Sequence, residues 1–220
     1  MQKIILLTGF EPFNHELINP AWEAVQTLAG WRTEEFRVET IQLPCVFGRA
    51  ARVLETIIAK KLPDVVIAVG QAGGRAEISI ERVAINVDDA PILDNAGNQP
   101  VDCAIVRDGP AAYFSTLPIK AIVRAVRAGG IPAVVSQSAG TFVCNHVFYA
   151  LMDLLAHLRT VAGAPATGGF IHVPYLPQQA AAHPGQPSMA LADIVEGLRI
   201  AILVSATGDP DLKAAEGRLD

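Results

Sequence analysis

The sequence contains few cysteines and few charged residues, and it has no long hydrophobic run. Among its 220 residues, three are cysteine and 18% are charged, and the formal net charge is −5. A mildly acidic chain without a basic stripe is not expected to bind nucleic acid or an anionic membrane surface. Cys45, Cys103 and Cys144 form no metal-ligand cluster, and their odd number argues against a disulfide framework. This cysteine usage predicts a cytoplasmic protein.

The first apolar run, from Ile4 to Leu7, is too short for a signal peptide or a transmembrane span. It predicts a buried β-strand instead. With 51% hydrophobic residues, the chain can bury one sizeable core, and no change of composition suggests a linker. We therefore expect a single domain over residues 1–220.

Strand and helix patterns alternate along the chain. Runs rich in β-branched residues predict strands at 4–7, 64–70, 131–136 and 168–174. Between these runs, apolar residues recur at helical spacing, as they do from residue 147 to residue 158. Such alternation predicts an α/β fold, a three-layer α/β/α sandwich around a twisted, mostly parallel mixed sheet.

Cys144 lies where a predicted strand gives way to a predicted helix. The unpaired N–H groups at a helix N-terminus favour an anion, so this position is expected to lower the pKa of the thiol. The same N–H groups are suited to hold the oxyanion that forms when a thiolate attacks a carbonyl. The alternative is a small apolar side chain that fills the start of a helix, and position alone does not decide. His146 falls on the opposite side of this helix and is expected to be structural.

Glu81 and His172 are the other candidates for catalysis. Alternation over residues 77–87 puts Glu81 on a face with β-branched side chains, where a buried carboxylate needs a partner. The alternative is an exposed edge strand with Glu81 in water. His172 lies in the strand predicted at 168–174. The alternative is a structural histidine whose ring is hydrogen-bonded to the backbone. A nucleophilic Cys144 needs an imidazole to take its proton, and the imidazole needs an acceptor to fix its tautomer.

Two loops follow predicted strands at the edge where α/β sheets bind ligands. The first carries Phe10 and Phe13, which either cap the core or wall an apolar pocket. Farther along, Asn19 is expected to cap a helix. The second loop, at 71–75, is rich in glycine but lacks the spacing of a phosphate-binding motif.

Five stretches of the chain together resemble the pyroglutamyl peptidase I (pyrrolidone-carboxylate peptidase) family of cysteine peptidases, and they occur in the family's order. They are Thr8–Phe13, Gln71–Arg75, Glu81–Ala90, Ser138–Asn145 and Phe170–Pro174. The resemblance implies a phosphorylase/hydrolase-like fold and a cytoplasmic thiol protease. Such an omega-peptidase hydrolyses the amide bond after the N-terminal pyroglutamyl residue of peptides, with no cofactor and no metal. It also implies a homo-oligomer, either a dimer or a tetramer.

The same resemblance implies roles for particular residues. Cys144 is the nucleophile, His172 is the general base and acid, and Glu81 orients the histidine. A pocket for the lactam ring is also implied. Its apolar walls are Phe10, Phe13, Phe142 and Val143, and its hydrogen-bonding groups lie near Asn19 and Gln71. A neutral five-membered lactam suits such a pocket because its ring needs apolar contacts and its amide needs one or two polar partners.

One position departs from the family pattern. Pro91 stands where many members have arginine, so the charge of that arginine is missing here or comes from Arg75 or Arg82. Two other functions stay open on the residues alone. One is a different Cys-His-Glu amidase. The turn before Cys144 argues against it, because this turn lacks the flanking glycines of a nucleophile elbow. The other is a protein that binds cyclic amides without hydrolysing them.

Overall fold

A computed structural model describes residues 2–162 and 166–217 of the chain. Eight strands are present in this part: β1 Lys3–Phe10, β2 Phe36–Leu43, β3 Val65–Gln71, β4 Ile78–Glu81, β5 Val83–Ile85, β6 Ala112–Phe114, β7 Ala133–Ser136 and β8 Thr167–Val173. Its helices are α1 Pro20–Thr27, α2 Arg49–Lys61, α3 Ile119–Ala128, α4 Val143–Ala162, α5 Pro177–Ala180 and α6 Leu191–Thr207.

Six strands form one sheet in the order β2-β1-β3-β8-β4-β7. Every neighbouring pair is parallel except β4 and β8, which run antiparallel. A separate antiparallel pair joins β5 to β6. The predicted mostly parallel mixed sheet is therefore confirmed.

Helices cover both faces of this sheet because its central strands bury side chains on both sides. In β1, Ile5 packs into the core beneath α1, α3 and α6, whereas Leu6 packs into the core beneath α2 and α4. Continuous apolar runs such as β3 are typical of parallel strands that are covered twice. The three predicted layers are thus confirmed.

The strand predicted over residues 77–87 is divided at Arg82. β4 belongs to the large sheet and β5 to the small one, because Arg82 N still donates to Ser136 O in β7 while Arg82 O accepts from Ser115 N. Alternation predicted which side chains share a face but not where the chain changes its partner. Glu81 is consequently the last residue of a strand in the main sheet.

Serine is a frequent N-cap, so Ser188 ahead of the last apolar helical pattern predicts a helix start there, but α6 begins at Leu191. Ser188 forms a bridge with Tyr175, and Met189 N donates to Tyr175 O, so these residues are held in an extended conformation. Within the described ranges, no helix combines the length and apolar character that a membrane crossing requires.

Candidate active site

His172 and Glu81 form a buried pair on one face of the sheet. In the antiparallel register of β8 and β4, Ser79 lies opposite His172, so Glu81 is the diagonal neighbour on the same face. His172 Nδ1 lies 2.7 Å from Glu81 Oε1, and the two residues are 3% and 0% exposed. The alternative of an exposed edge strand is therefore wrong. With Nδ1–H donated to the carboxylate, Nε2 is the ring nitrogen left to act as a base.

Arg75 binds the same carboxylate oxygen. Its Nη1 donates to Glu81 Oε1 at 2.6 Å and to Ser136 Oγ at 3.3 Å, and its Nη2 donates to Ser138 O at 2.9 Å. Burial by itself raises the pKa of Glu81. The hydrogen bond and charge of His172 and the charge of Arg75 outweigh that effect, so the pKa of Glu81 lies below its usual value. Glu81 is therefore a carboxylate at neutral pH.

Cys144 is the second residue of α4 and reaches the sheet at Gly70. A Cβ atom built on Gly70 would lie 2.8 Å from Cys144 Sγ and 2.8 Å from the Phe170 ring, so only glycine fits this position. Gly70 is the register partner of His172 between β3 and β8. The structure thus brings the sulfur to the face of the sheet on which the His172–Glu81 pair lies.

The thiol of Cys144 is not pre-ionised by these surroundings. Burial, followed by the charge of Glu81, raises its pKa to about 12, and Arg75 acts in the opposite direction. This differs from the depressed pKa expected at a helix N-terminus, because withdrawal from water disfavours the thiolate. A raised pKa favours the neutral thiol, so a base that takes its proton assists the attack of the sulfur.

Aromatic side chains pack against the same core as Cys144, and one of them contacts the imidazole. Phe13 and Phe142 keep some exposed surface and pack with their ring centroids 6.0 Å apart. Phe47, which the sequence did not single out although it follows β2 closely, meets Phe142 edge-on at 5.3 Å. Phe170 lies 4.8 Å from the His172 ring. This arrangement offers an apolar wall beside the candidate nucleophile.

Phe10 and Val143 are buried in the core that α2 and α4 share. The ring centroids of Phe10 and Phe170 lie 6.3 Å apart. Phe10 therefore packs in the core, which was one of its two expected roles. Contact between a ligand and either side chain stays a prediction.

Asn19 and Gln71 already have protein partners. Asn19 Oδ1 accepts from Ala21 N and its Nδ2 donates to Glu11 O, so it caps α1 as predicted. Gln71 ends β3 directly after Gly70, and alternation puts its side chain on the other face of the sheet. There its Oε1 accepts from Gln179 Nε2 at 3.1 Å. Contact of Asn19 or Gln71 with a ligand stays a prediction.

His146 has the expected structural contacts. Its Nδ1 lies 2.8 Å from Asp88 Oδ2, and its Nε2 accepts from Gly48 N at 3.0 Å. Of the two arginines that could replace the one missing at position 91, Arg75 reaches the site. Arg82 instead binds the Gln137 side chain and the Glu216 backbone. In the described ranges, no group of three or more His, Cys, Asp or Glu side chains is arranged to hold a metal ion.

Comparison with known proteins gives matches over nearly the whole chain. A family model described as pyroglutamyl peptidase matches residues 3–207. Pyrrolidone-carboxylate peptidase 1 of Ralstonia nicotianae is 62% identical over 215 residues, which make up 98% of each chain. The pyrrolidone-carboxylate peptidase of Cupriavidus taiwanensis is 61% identical over 215 residues with the same coverage.

Solved peptidase structures also match nearly the whole chain. Pyroglutamyl peptidase I from Bacillus amyloliquefaciens matches with a TM-score of 0.92 at 47% identity, covering 98% of this chain and 100% of the other. Pyrrolidone carboxyl peptidase from the hyperthermophile Pyrococcus furiosus matches with a TM-score of 0.87 at 43% identity, covering 93% of this chain and 99% of the other.

Proposed function

Because the chain belongs to the pyroglutamyl peptidase family of hydrolases, we propose that it hydrolyses the amide bond after the N-terminal pyroglutamyl residue of peptides. The observation that carries the proposal is the approach of the Cys144 sulfur to Gly70, beside the buried pair of His172 and Glu81. A thiol, an imidazole and a carboxylate are the groups that acyl transfer through a thioester requires.

In the proposed acylation step, His172 Nε2 takes the proton of the Cys144 thiol while the sulfur attacks the pyroglutamyl carbonyl carbon. The carbonyl oxygen becomes an oxyanion, which the free N–H groups at the start of α4 stabilise. His172 then gives its proton to the leaving nitrogen as the C–N bond breaks. The peptide leaves with a free amine, and pyroglutamate stays on Cys144 as a thioester.

Deacylation uses the same groups in the opposite sense. His172 Nε2 takes a proton from water, whose oxygen attacks the thioester carbon, and the C–S bond breaks as the sulfur regains a proton. Pyroglutamate is released and the thiol is restored. The Glu81 carboxylate holds Nδ1–H throughout and stabilises the imidazolium that forms in each step.

The proposed lactam pocket combines an apolar wall with a few polar groups. Phe13 and Phe142 are the most accessible parts of that wall, and Phe10 and Val143 complete it from the core. Polar contacts with the lactam amide come from the neighbourhood of Asn19 and Gln71. A pocket of this kind rejects uncyclised glutamate, whose charge it leaves unpaired.

Four further features belong to the proposal. Residues 1–220 act as one catalytic domain, which is supported by a single six-stranded sheet with a core on each face. The cysteine usage supports a cytoplasmic location. Hydrolysis needs no cofactor because all the groups used above are side chains and backbone amides. The protein assembles as a homo-oligomer, a dimer or a tetramer.

The test is hydrolysis of a chromogenic pyroglutamyl amide by the purified protein. Turnover is expected, and Cys144→Ser is expected to lower kcat/KM by more than about a thousandfold because the alcohol is a far weaker nucleophile. Cys103→Ser is the matched control, since Cys103 is an exposed free cysteine, and it should retain full activity.

Absence of turnover, or equal turnover by Cys144→Ser, contradicts the proposal. A panel of glutamine and short amides separates it from a broader amidase, which hydrolyses them at comparable rates. A protein that only binds cyclic amides is protected from iodoacetamide at Cys144 by 2-pyrrolidone but turns nothing over.

A further inference from the structure

The loop between β1 and α1 carries Phe13 and contains a strained turn. Glu16 N donates to Phe13 O at 3.1 Å, and the two central residues, Asn14 and His15, have φ values of 52° and 63°. Residues other than glycine adopt such values at a cost, because the Cβ atom approaches the backbone. Phe13 and Glu16 are thus the two ends of one turn that needs contacts from outside to keep its shape.

On one side of the turn Asn95 Nδ2 donates to Pro12 O at 2.9 Å, and on the other side the contacts converge on the carboxylate of Glu16. His183 Nε2 lies 2.6 Å from Oε1, and Gln179 Nε2 donates to Oε2 at 3.1 Å. Gln179 Nε2 also lies 3.4 Å from Ile18 O at the end of the loop. Because Glu16 and Gln179 are largely buried, water competes little for these bonds. We call the side chains of Glu16, Gln179 and His183 the turn clamp.

The orientation of the Gln179 amide is fixed by the backbone. Leu176 N–H donates to Gln179 Oε1 at 3.1 Å. A backbone N–H can only donate, so the other end of the amide must be the NH₂ group, which faces the carboxylate.

His183 is fixed in a different way. Its ring stacks on Tyr175 with centroids 5.0 Å apart and an interplanar angle of 6°. Tyr175 in turn packs on Gly73, where a Cβ atom would overlap its ring. Both partners of Glu16 therefore lie in the segment 175–183, which follows β8 and the catalytic histidine almost directly.

We infer that Glu16 is a positioning residue, which holds the Phe13 ring against Phe142 through the turn clamp. This inference rests on the proposed function, in which the two rings contact the lactam. Without the clamp the strained turn relaxes, and Phe13 leaves the wall for part of the time. Apparent affinity then falls in proportion to the fraction of molecules whose wall is complete. The catalytic side chains are untouched, so the rate after binding stays the same.

The experiment compares KM and kcat of two Glu16 variants on a chromogenic pyroglutamyl amide. Glu16→Ala is expected to raise KM roughly 5- to 30-fold and to change kcat by less than about twofold. Glu16→Gln is expected to keep KM within about threefold, because its amide has an oxygen to accept from Gln179 and an NH₂ group to face the ring nitrogen of His183. Glu34→Ala, which removes an exposed carboxylate elsewhere, is the control and leaves both constants unchanged.

A double-mutant cycle tests whether the clamp acts as one unit. His183→Phe removes the ring nitrogen that meets Glu16 but keeps a ring that can stack on Tyr175, and it is expected to raise KM as Glu16→Ala does. The double variant should show a KM no larger than that of the worse single variant, since the turn can be released only once. Increases that multiply contradict the inference, and so does a lower kcat at constant KM.

A readout without turnover separates this inference from the proposed function. Iodoacetamide should alkylate Cys144 at the same rate in every variant. The concentration of 2-pyrrolidone that halves this rate should be higher in Glu16→Ala than in the wild-type protein, by the same factor as KM. If the wild-type protein hydrolyses the amide but Glu16→Ala keeps its KM within about twofold, the positioning role alone is refuted. If the wild-type protein hydrolyses nothing, the proposed function fails, and the protection assay alone decides whether Glu16 positions the wall.

Discussion

At the scale of single residues, one carboxylate oxygen accepts hydrogen bonds from both an imidazole and a guanidinium. Glu81 Oε1 accepts from both His172 Nδ1 and Arg75 Nη1, whereas the buried Oε2 has no partner in the part of the chain described. Arg75 keeps the carboxylate ionised and lowers the pKa of the Cys144 thiol. It also competes with the imidazole for that oxygen. Arg75 therefore affects the nucleophile and the base together.

Arg75→Met removes a cation that lowers the pKa of the Cys144 thiol. The pKa of Cys144 should rise above its already raised value, which lowers the thiolate fraction at every pH below it. We expect alkylation by iodoacetamide at pH 8 to slow roughly three- to tenfold, since one pKa unit is a tenfold change in thiolate. The rate is measured by quenching the labelling reaction at set times and quantifying the Cys144 peptide by mass spectrometry.

Arg82→Met is the matched control because Arg82 lies next to Glu81 in sequence but binds Gln137 and Glu216 instead. Its labelling rate should equal that of the wild-type protein. Equal rates in the two arginine variants would mean that Arg75 does not act on the thiol.

Residue types and alternation were enough to select Cys144, His172 and Glu81 from the sequence. They were not enough to find Gln179, whose partner Glu16 is 163 residues away. A glutamine and a glutamate in loops carry no periodic signal, and only the folded chain brings them together. The raised pKa of Cys144 was missed for a related reason, since burial of a side chain in a turn cannot be read from spacing.

At the scale of elements, the long connection between β5 and β6 is folded around Asp94. Its Oδ1 accepts from Ala96 N and Asn98 N, and its Oδ2 accepts from Phe47 N. Asn95 N donates to Cys45 O in the same neighbourhood. One carboxylate thus closes a turn and fastens it to the loop that carries an aromatic wall residue.

Asp94→Asn should destabilise the protein by about 1–3 kcal/mol at pH 7, because an amide cannot accept on both sides and leaves a buried N–H unpaired. Burial raises the pKa of Asp94, but hydrogen bonds from Asn98, Phe47 and Ala96 lower it below its usual 3.8. A depressed carboxyl pKa stabilises the fold above the unfolded value, and that stability is lost as the pH falls through the folded value. The difference between wild type and variant should therefore be constant from about pH 5 to 7 and shrink below about pH 4.

Urea unfolding followed by tryptophan fluorescence at several pH values measures the difference. Asp209→Asn, at an exposed position, should match the wild-type protein throughout. A destabilisation by Asp94→Asn that persists undiminished in acid would contradict the role assigned to the ionised carboxylate.

Elements with strong local signals were predicted, and those fixed by distant contacts were not. β3 and α1 follow from an apolar run and from the Asn19 cap. The start of α3 was predicted as well, from Pro118, and the structure adds that the N–H groups of residues 120 and 121 are bound by Asp211 from the far end of the chain. The change of sheet at Arg82 was not predicted, because it depends on Ser115 and Ser136, which lie far from it in sequence.

At the scale of the whole molecule, one sheet separates two cores. The candidate site lies on one face of that sheet. The candidate catalytic side chains are on the face covered by α2 and α4, whereas Gln71 is on the other face. The loop that carries Phe13 leaves β1 and returns as α1, so it passes from one layer to the other. Phe13, Phe142 and Cys144 all pack against the core that α2 and α4 share, so the proposed lactam wall and the candidate nucleophile lie on the same face of the sheet.

Every group used in the proposed reaction comes from one chain, so association should not change activity per chain. Association is part of the proposal, and the large apolar side chains exposed in the described parts of the chain are candidates for the contact, namely Leu17, Leu62, Leu93, Val101, Phe114 and Leu203. Sedimentation velocity should give two or four times the chain mass of 23.3 kDa at micromolar concentration. Dilution with an inert carrier protein until 23.3 kDa particles dominate should leave kcat per chain unchanged. A mass of 23.3 kDa at every concentration contradicts the oligomer, and activity that falls with dissociation contradicts a site complete within one chain.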